Sequence, residues 1–273
     1  MPPPDGSTAL KILMLHGYTQ SGQLFRAKTR ALEKHLQKAF PGSTLSYPTG
    51  PLRLKPSDVP GFDPSTTSEH DDLEAYGWWR RSNTADPPEY LGIEDGLLEV
   101  AKTLTTEGPF DGVAGFSQGA ALAAIVSSML EGQRRKDAFQ NSRPQSQSSL
   151  SIPFPSAFRD VQHPPLKFCI MYSGFVAPGE RYRAFYIPHI STPSCHFIGS
   201  LDSVVEESRC RALVDAFGGE PKAQLVFHPG GHFLPSSKQF LDVLVNFIGN
   251  VIRPDAQKST KSEESAEDMD VPF

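Results

Sequence analysis

The sequence predicts an α/β fold, a mostly parallel central sheet with helices on both faces, on three observations. Short apolar runs alternate with amphipathic helical segments from about residue 10 to residue 251. The strand candidates are apolar along their whole length, which suits strands buried from both sides rather than a sheet with one solvated face. Glycine- and proline-containing turns, such as Pro41-Gly42 and Pro48-Thr49-Gly50-Pro51, separate these runs. With 273 residues and 38% hydrophobic content the chain can bury one sizeable core, so a single domain over 1–253 is expected, followed by an acidic disordered tail at 254–273.

Each element follows from its local pattern. Residues 10–15 form the first strand candidate and run into the turn at His16-Gly17. One helix is expected next, its apolar face in Leu24, Phe25, Ala31, Leu32 and Leu36 and its polar face in Arg26, Lys28, Arg30, Glu33 and Lys34. Residues 44–47 give the second strand. The stretch 51–88, dense in Pro, Asp and Ser around Tyr76, Trp78 and Trp79, is expected to be a long loop over the top of the sheet. Residues 91–106 have helical spacing, 111–116 a short buried strand, and the alanine-rich 118–130 a helix packed close to the sheet. The segment 132–165, with five prolines amid Ser and Gln and few spaced apolar residues, is expected to be a flexible insertion without a fixed fold. Strands at 166–172, 194–198 and 223–227 and helices at 205–217 and 235–251 complete the alternation.

Charge and cysteine content narrow the class of function. The formal net charge is -5, but the tail holds six acids against two lysines, so the body is close to neutral. That offers no electrostatic reason for a nucleic-acid or anionic-membrane partner. Cys169, Cys195 and Cys210 are too few for a disulfide framework in a chain this long, and they are expected to be reduced and structural. The N-terminal stretch has no basic segment leading into a long apolar one. A soluble cytoplasmic protein is expected, with a nuclear location as the alternative.

Gly115-Phe116-Ser117-Gln118-Gly119 matches G-x-S-x-G between a strand and a helix, the context the motif requires, and this narrows the prediction to the α/β-hydrolase fold. A serine on so sharp a turn needs small neighbours, and the two glycines supply them. Ser117 could also serve merely as a helix N-cap. A serine hydroxyl is a weak nucleophile at neutral pH, so a base must take its proton and a third group must hold that base in one tautomer. In this fold the order along the chain is Ser, Asp or Glu, then His. Asp202 follows the strand ending at Ile198, and His232 follows the strand ending at Phe227, both where loops leave the carboxyl edge of a parallel sheet. Asp215, Glu206 and Glu207 fall on or at the start of a helix, and His228 ends a strand, so these rivals are better suited to structural roles. The oxyanion needs two backbone amides: Gln118, directly after the serine, and one from the loop after the first strand, with Tyr18 the first choice and Thr19 the alternative. His16 is expected to fix that loop by hydrogen bonding. No phosphate-binding glycine loop and no zinc-like Cys or His spacing is present, so no cofactor or metal is expected. Trp78, Trp79, Tyr76 and Phe175 are candidates for the wall of an acyl pocket, although an aromatic cluster more often marks simple packing.

These segments together resemble one family. LHGYTQSG, YPTGP, YGWWR, GPFDGVAGFSQGAALA, GSLDSVV and HPGGHFLP, in this order over about residues 10–251, are similar to the FSH family of serine hydrolases in its fungal form. The resemblance implies a catalytic triad at the matching positions Ser117, Asp202 and His232. It also implies a cofactor-free intracellular enzyme acting on a small-molecule acyl ester or thioester, including carrier-bound polyketides in fungal secondary metabolism. The insertion 132–165 and the acidic tail are longer than the family pattern requires. Two other outcomes use the same residues: a non-catalytic binding protein built on the hydrolase fold, and an acyltransferase whose acyl-enzyme is discharged to an acceptor other than water.

Overall fold

The computed structural model describes residues 9–63, 74–141, 151–220 and 222–253. Six parallel strands form the central sheet: β1 (Lys11–Leu15), β2 (Thr44–Ser46), β3 (Gly112–Phe116), β4 (Phe168–Tyr172), β5 (Ser194–Gly199) and β6 (Ala223–His228). Their order across the sheet is β6-β5-β4-β3-β1-β2. The order reverses beside β1 and β3, so the loops leaving those two strands diverge and open a crevice at the carboxyl edge. Every residue of β3, β4 and β5 is buried, as their uninterrupted apolar composition requires.

Two hydrophobic cores lie on the two faces. On one, Leu13, Leu15, Val113, Cys169 and Met171 pack under α3 (Ile93–Glu107), α4 (Gln118–Met129) and α6 (Glu207–Ala216). On the other, Ile12, Met14, Ala114, Phe116 and Ile170 pack against α1 (Gly22–Lys28), α2 (Arg30–Ala39) and α7 (Lys238–Ile252). The division follows the two-residue period of a strand, which sends alternate side chains to opposite faces. All twelve residues of α4 are buried, and its small side chains let the helix lie close on the sheet.

The structure differs from the sequence expectation in three places. The single helix expected after β1 is two, α1 and α2, parted at Thr29, whose hydroxyl donates to the Phe25 carbonyl at 2.9 Å and lies 2.8 Å from the Tyr47 hydroxyl. A residue that bonds sideways to the backbone and to a strand-end tyrosine bends the helix without changing its apolar spacing. The described parts of 51–88 are not wholly irregular: Leu52–Arg53 pairs with Tyr76–Gly77, and Arg80–Arg81 with Tyr90–Leu91, in short antiparallel ladders.

The third difference corrects the expectation of a flexible insertion over 132–165. Residues Gln133–Asn141 form helix α5, and within 151–165 Phe158 is buried while Ile152, Phe154, Ala157 and Val161 pack against the core. Phe139 is buried between Phe154 and Phe185, with ring centroids at 5.5 and 5.0 Å. Arg135 is fully buried, its guanidinium donating to the carbonyls of Ala184 and Pro188 and to Glu131. A few large anchors placed by tertiary contact replace the periodic pattern that was lacking. Residues 142–150 of that expected insertion, and the tail 254–273, lie outside the described residues.

Candidate active site

The turn at Ser117 is built by its neighbours. Ser117 sits at φ 54° and ψ -115°, a conformation a non-glycine residue holds only when its surroundings impose it. A Cβ on Gly115 would lie 2.1 Å from the Gly119 carbonyl oxygen, and one on Gly119 would lie 2.0 Å from that of Leu15. Only glycine fits at either position. The turn lifts the Ser117 side chain above the carboxyl end of β3.

The loops after β5 and β6 bring two more side chains to it. His232 Nε2 is 3.0 Å from Ser117 Oγ, and His232 Nδ1 is 2.8 Å from Asp202 Oδ2. Asp202 Oδ1 accepts the amides of Val204 and Val205, both at 2.9 Å. Burial works to raise the pKa of the Asp202 carboxyl, but the Val205 amide, the His232 imidazole, the Ser173 hydroxyl and the Val204 amide outweigh it and hold the group below the usual carboxylate range. The two loops pack tightly, since a Cβ on Gly199 would meet the Gly231 carbonyl oxygen at 2.5 Å.

Ser173, which the sequence did not single out, donates to Asp202 Oδ2 at 2.7 Å from the end of β4. Its φ of 51° turns the chain so that the hydroxyl faces the carboxylate. The only local cue is a Ser-Gly pair after a strand, which ordinarily marks a turn. The side chain of Gln118 was equally unforeseen: its Oε1 accepts the Trp78 amide at 2.8 Å and its Nε2 donates to the Trp79 carbonyl at 2.9 Å. It thereby fastens the 76–81 segment beside the serine.

In the turn after β1, the Thr19 amide donates to the Tyr76 carbonyl at 2.9 Å and the Gly17 amide to Gln20 Oε1 at 3.3 Å. The Tyr18 amide between them has no such bond among the described residues. The Gln118 amide opens α4, where a helix leaves its first N–H groups unpaired. His16 is fully buried; its Nδ1 donates to the Gly17 carbonyl at 2.8 Å and its Nε2 accepts the Gly50 amide at 2.8 Å. Burial, opposed by the bond to Gly17, lowers its pKa to about 4, so the ring is neutral and ties two loops together. His228 is likewise buried, with Nδ1 accepting the Gly230 amide at 3.3 Å.

A cavity of about 830 Å³ opens from Ser117 and Gln118. Trp79, Tyr90, Phe175 and Val205 form its apolar wall, while Tyr18 and three arginines also line it. Of the four aromatic candidates for this wall, Trp79 and Phe175 line it. Trp78 is instead fully buried, stacked on His16, with its indole N–H donating to the His16 carbonyl at 2.9 Å. Among the described residues no cluster of three or more His, Cys, Asp or Glu side chains is placed to hold a metal ion. No helix among them is long and apolar enough to cross a membrane.

The whole region has known counterparts. A family model described as serine hydrolase (FSH1) matches residues 6–244. Family of serine hydrolases 3 from Saccharomyces cerevisiae is 34% identical over 270 residues, covering 93% of this chain and 89% of that protein. Esterase OVCA2 from Danio rerio is 32% identical over 247 residues, 88% of this chain and 96% of its own. In three dimensions, the crystal structure of Zea mays acyl-protein thioesterase 2 superposes with a TM-score of 0.54 at 19% identity, over 91% of this chain and 96% of that one, which establishes the α/β-hydrolase fold.

Proposed function

This chain belongs to the FSH1 family of serine hydrolases, and we propose that it cleaves a carboxylic ester or an acyl thioester through an acyl-enzyme formed on Ser117. One observation carries the reading: the unbroken chain of contacts from Ser117 Oγ through His232 to Asp202, at 3.0 and 2.8 Å. His232 Nε2 takes the serine proton as Oγ attacks the acyl carbon, and Asp202 holds the proton on Nδ1 so that Nε2 is the acceptor. The tetrahedral oxyanion is met by the amides of Gln118 and Tyr18, the latter flanked by amides that are engaged elsewhere. As the intermediate collapses, His232 returns the proton to the departing alcohol or thiol. Water, deprotonated by the same imidazole, then attacks the acyl-serine, and as this second intermediate collapses His232 returns that proton to Ser117 Oγ and the acid is released. The relative named an esterase and the aromatic wall of the cavity both support an acyl substrate.

A fluorophosphonate probe reacts with activated serines, so it is expected to label the native protein at Ser117 and to leave Ser117→Ala unlabelled. Intact-mass measurement after brief exposure to a 4-nitrophenyl ester is expected to show one acyl group on Ser117. Undiminished labelling of the Ala variant would place the nucleophile elsewhere. Labelling without turnover of any ester would favour a binding protein, and product transfer to an added alcohol in preference to water would favour an acyltransferase.

A further inference from the structure

Three arginines line the cavity beside Ser117, and they are not equally engaged. Arg80 is bound to Asp58 at 3.2 and 3.4 Å to its two carboxylate oxygens. Arg81 and Arg209 form no ion pair among the described residues. The nearby carboxylates are taken by other cations, Glu89 by Arg181 and Glu207 by Arg211. The two guanidiniums without an ion pair come from separate elements. Arg81 stands on the short ladder that pairs with Tyr90–Leu91, and Arg209 on α6, where its guanidinium lies 4.5 Å from the centre of the Phe175 ring.

Tyr90, paired with Arg81 across that ladder, lines the cavity with both of them. Its ring is stacked on Trp79 and on Tyr182, with centroids at 4.7 and 5.1 Å, which fixes the position of the phenol. Burial raises the pKa of that phenol well above its ordinary value, while the positive fields of both Arg209 and Arg81 act against the rise. Arg81, Arg209 and Tyr90 all line the one cavity that opens from Ser117. A cavity whose apolar floor is aromatic and whose rim carries two uncompensated guanidiniums and a phenol donor is suited to an acyl chain ending in an anion.

We propose that this cavity selects an ester or thioester carrying a carboxylate or phosphate, bound by Arg81 and Arg209 with the Tyr90 hydroxyl while Ser117 attacks the acyl carbon. The inference rests on Ser117 being the nucleophile, and it adds the chemical class of the substrate. Arg209 rests its guanidinium over the Phe175 ring at 4.5 Å, a contact that reduces the side-chain freedom lost when it grips an anion. Arg81 supplies the second fork. The anion stands either on the acyl chain, as in a half-ester of a dicarboxylic acid, or on the leaving group, as in a thioester of a phosphate-bearing thiol.

The test compares kcat/KM within matched pairs. One pair is a 4-nitrophenyl half-ester of a dicarboxylic acid and the methyl-ended ester of equal chain length, taken over about four to eight carbons; the other is an acyl thioester of a phosphorylated thiol and its dephosphorylated form. The native enzyme is expected to favour the anionic member of one pair by at least about tenfold, and which pair it is identifies the side that carries the charge. R81Q/R209Q is expected to reduce that ratio by at least about tenfold, whereas R211Q, on the same helix outside the cavity, is expected to keep it. Absence of discrimination in both pairs, or discrimination that survives the double variant, overturns the proposal. If no ester or thioester is hydrolysed, the proposed reaction fails but the anion site is still decided by calorimetry of adipate and inorganic phosphate on Ser117→Ala. Binding of either that weakens at least about tenfold when R81Q/R209Q is added sustains the site, and binding of neither overturns it.

Discussion

Asp202 uses its two carboxylate oxygens differently. Oδ1 accepts two backbone amides, from Val204 and Val205, while Oδ2 faces His232 and the Ser173 hydroxyl. In Asp202→Asn the two amides therefore retain the side-chain oxygen, and the new NH2 group lands where Oδ2 stood. It donates to His232 Nδ1 and drives the proton to Nε2, the tautomer that cannot accept from Ser117. Turnover is expected to fall by about three to four orders of magnitude with the melting curve little changed. Ser173→Ala removes a hydrogen bond to a charged group but leaves the tautomer intact, so a loss of about tenfold in kcat is expected. Stopped-flow hydrolysis of a 4-nitrophenyl ester measures both; equal losses in the two variants would show that Asp202 is not setting the tautomer. Ser117, Asp202 and His232 were legible as candidates because each lies shortly after an apolar strand in a turn with its own signal. Ser173 and the Gln118 side chain were not, because a hydroxyl or an amide gains its meaning only from the partner that another loop brings.

Among the elements, α5 shows how little periodicity a segment needs in order to pack. Its mean composition is polar, but Phe139 reaches a pocket between Phe154 and Phe185, and Arg135 is anchored by two carbonyls and Glu131. Truncating a buried phenylalanine removes its transfer free energy and leaves a cavity, so Phe139→Ala is expected to cost about 3–5 kcal/mol in urea unfolding at neutral pH. A loss near zero would mean that the segment detaches freely. Replacing 132–165 with a short bridge should accordingly destabilise the fold, the reverse of what a disordered insertion would do. The helices and strands of the body were legible because their apolar residues repeat with the period of a helix or of a strand. The division of α1 from α2 was not, since Thr29 bends the chain without interrupting that repeat.

For the molecule as a whole, buried histidines link folding to pH, His16 and His196 most strongly. Burial lowers the pKa of His196 to about 3 and, against a hydrogen bond to Gly17, that of His16 to about 4, both from 6.5. The unfolded chain then binds more protons than the native one below about pH 6.5, so stability falls as pH drops through that window. Between about pH 7 and pH 5 each ring is expected to remove roughly 2 kcal/mol. Asp202 acts lower: its folded pKa is depressed, so its contribution is lost only as the pH falls below its ordinary value of 3.8. Urea titrations at the two ends of the histidine window measure that contribution, and a flat profile across it would falsify the neutral, buried state of both rings.

Local sequence was enough to specify the alternation of strands and helices, the serine turn and the chain order of the three polar side chains that meet there. These features are written in apolar spacing, in the glycines of G-x-S-x-G and in the turn residues at the end of each strand. Which loops face one another across the crevice depends instead on the assembled sheet. The register of β3, β4 and β5 brings Ser173 to Asp202, and the folded chain sets Arg209 and Arg81 in the lining of one cavity, although the two lie far apart in the chain. Such pairings leave no mark on local hydropathy or turn chemistry, because each partner is an ordinary polar residue until the sheet places it beside the other.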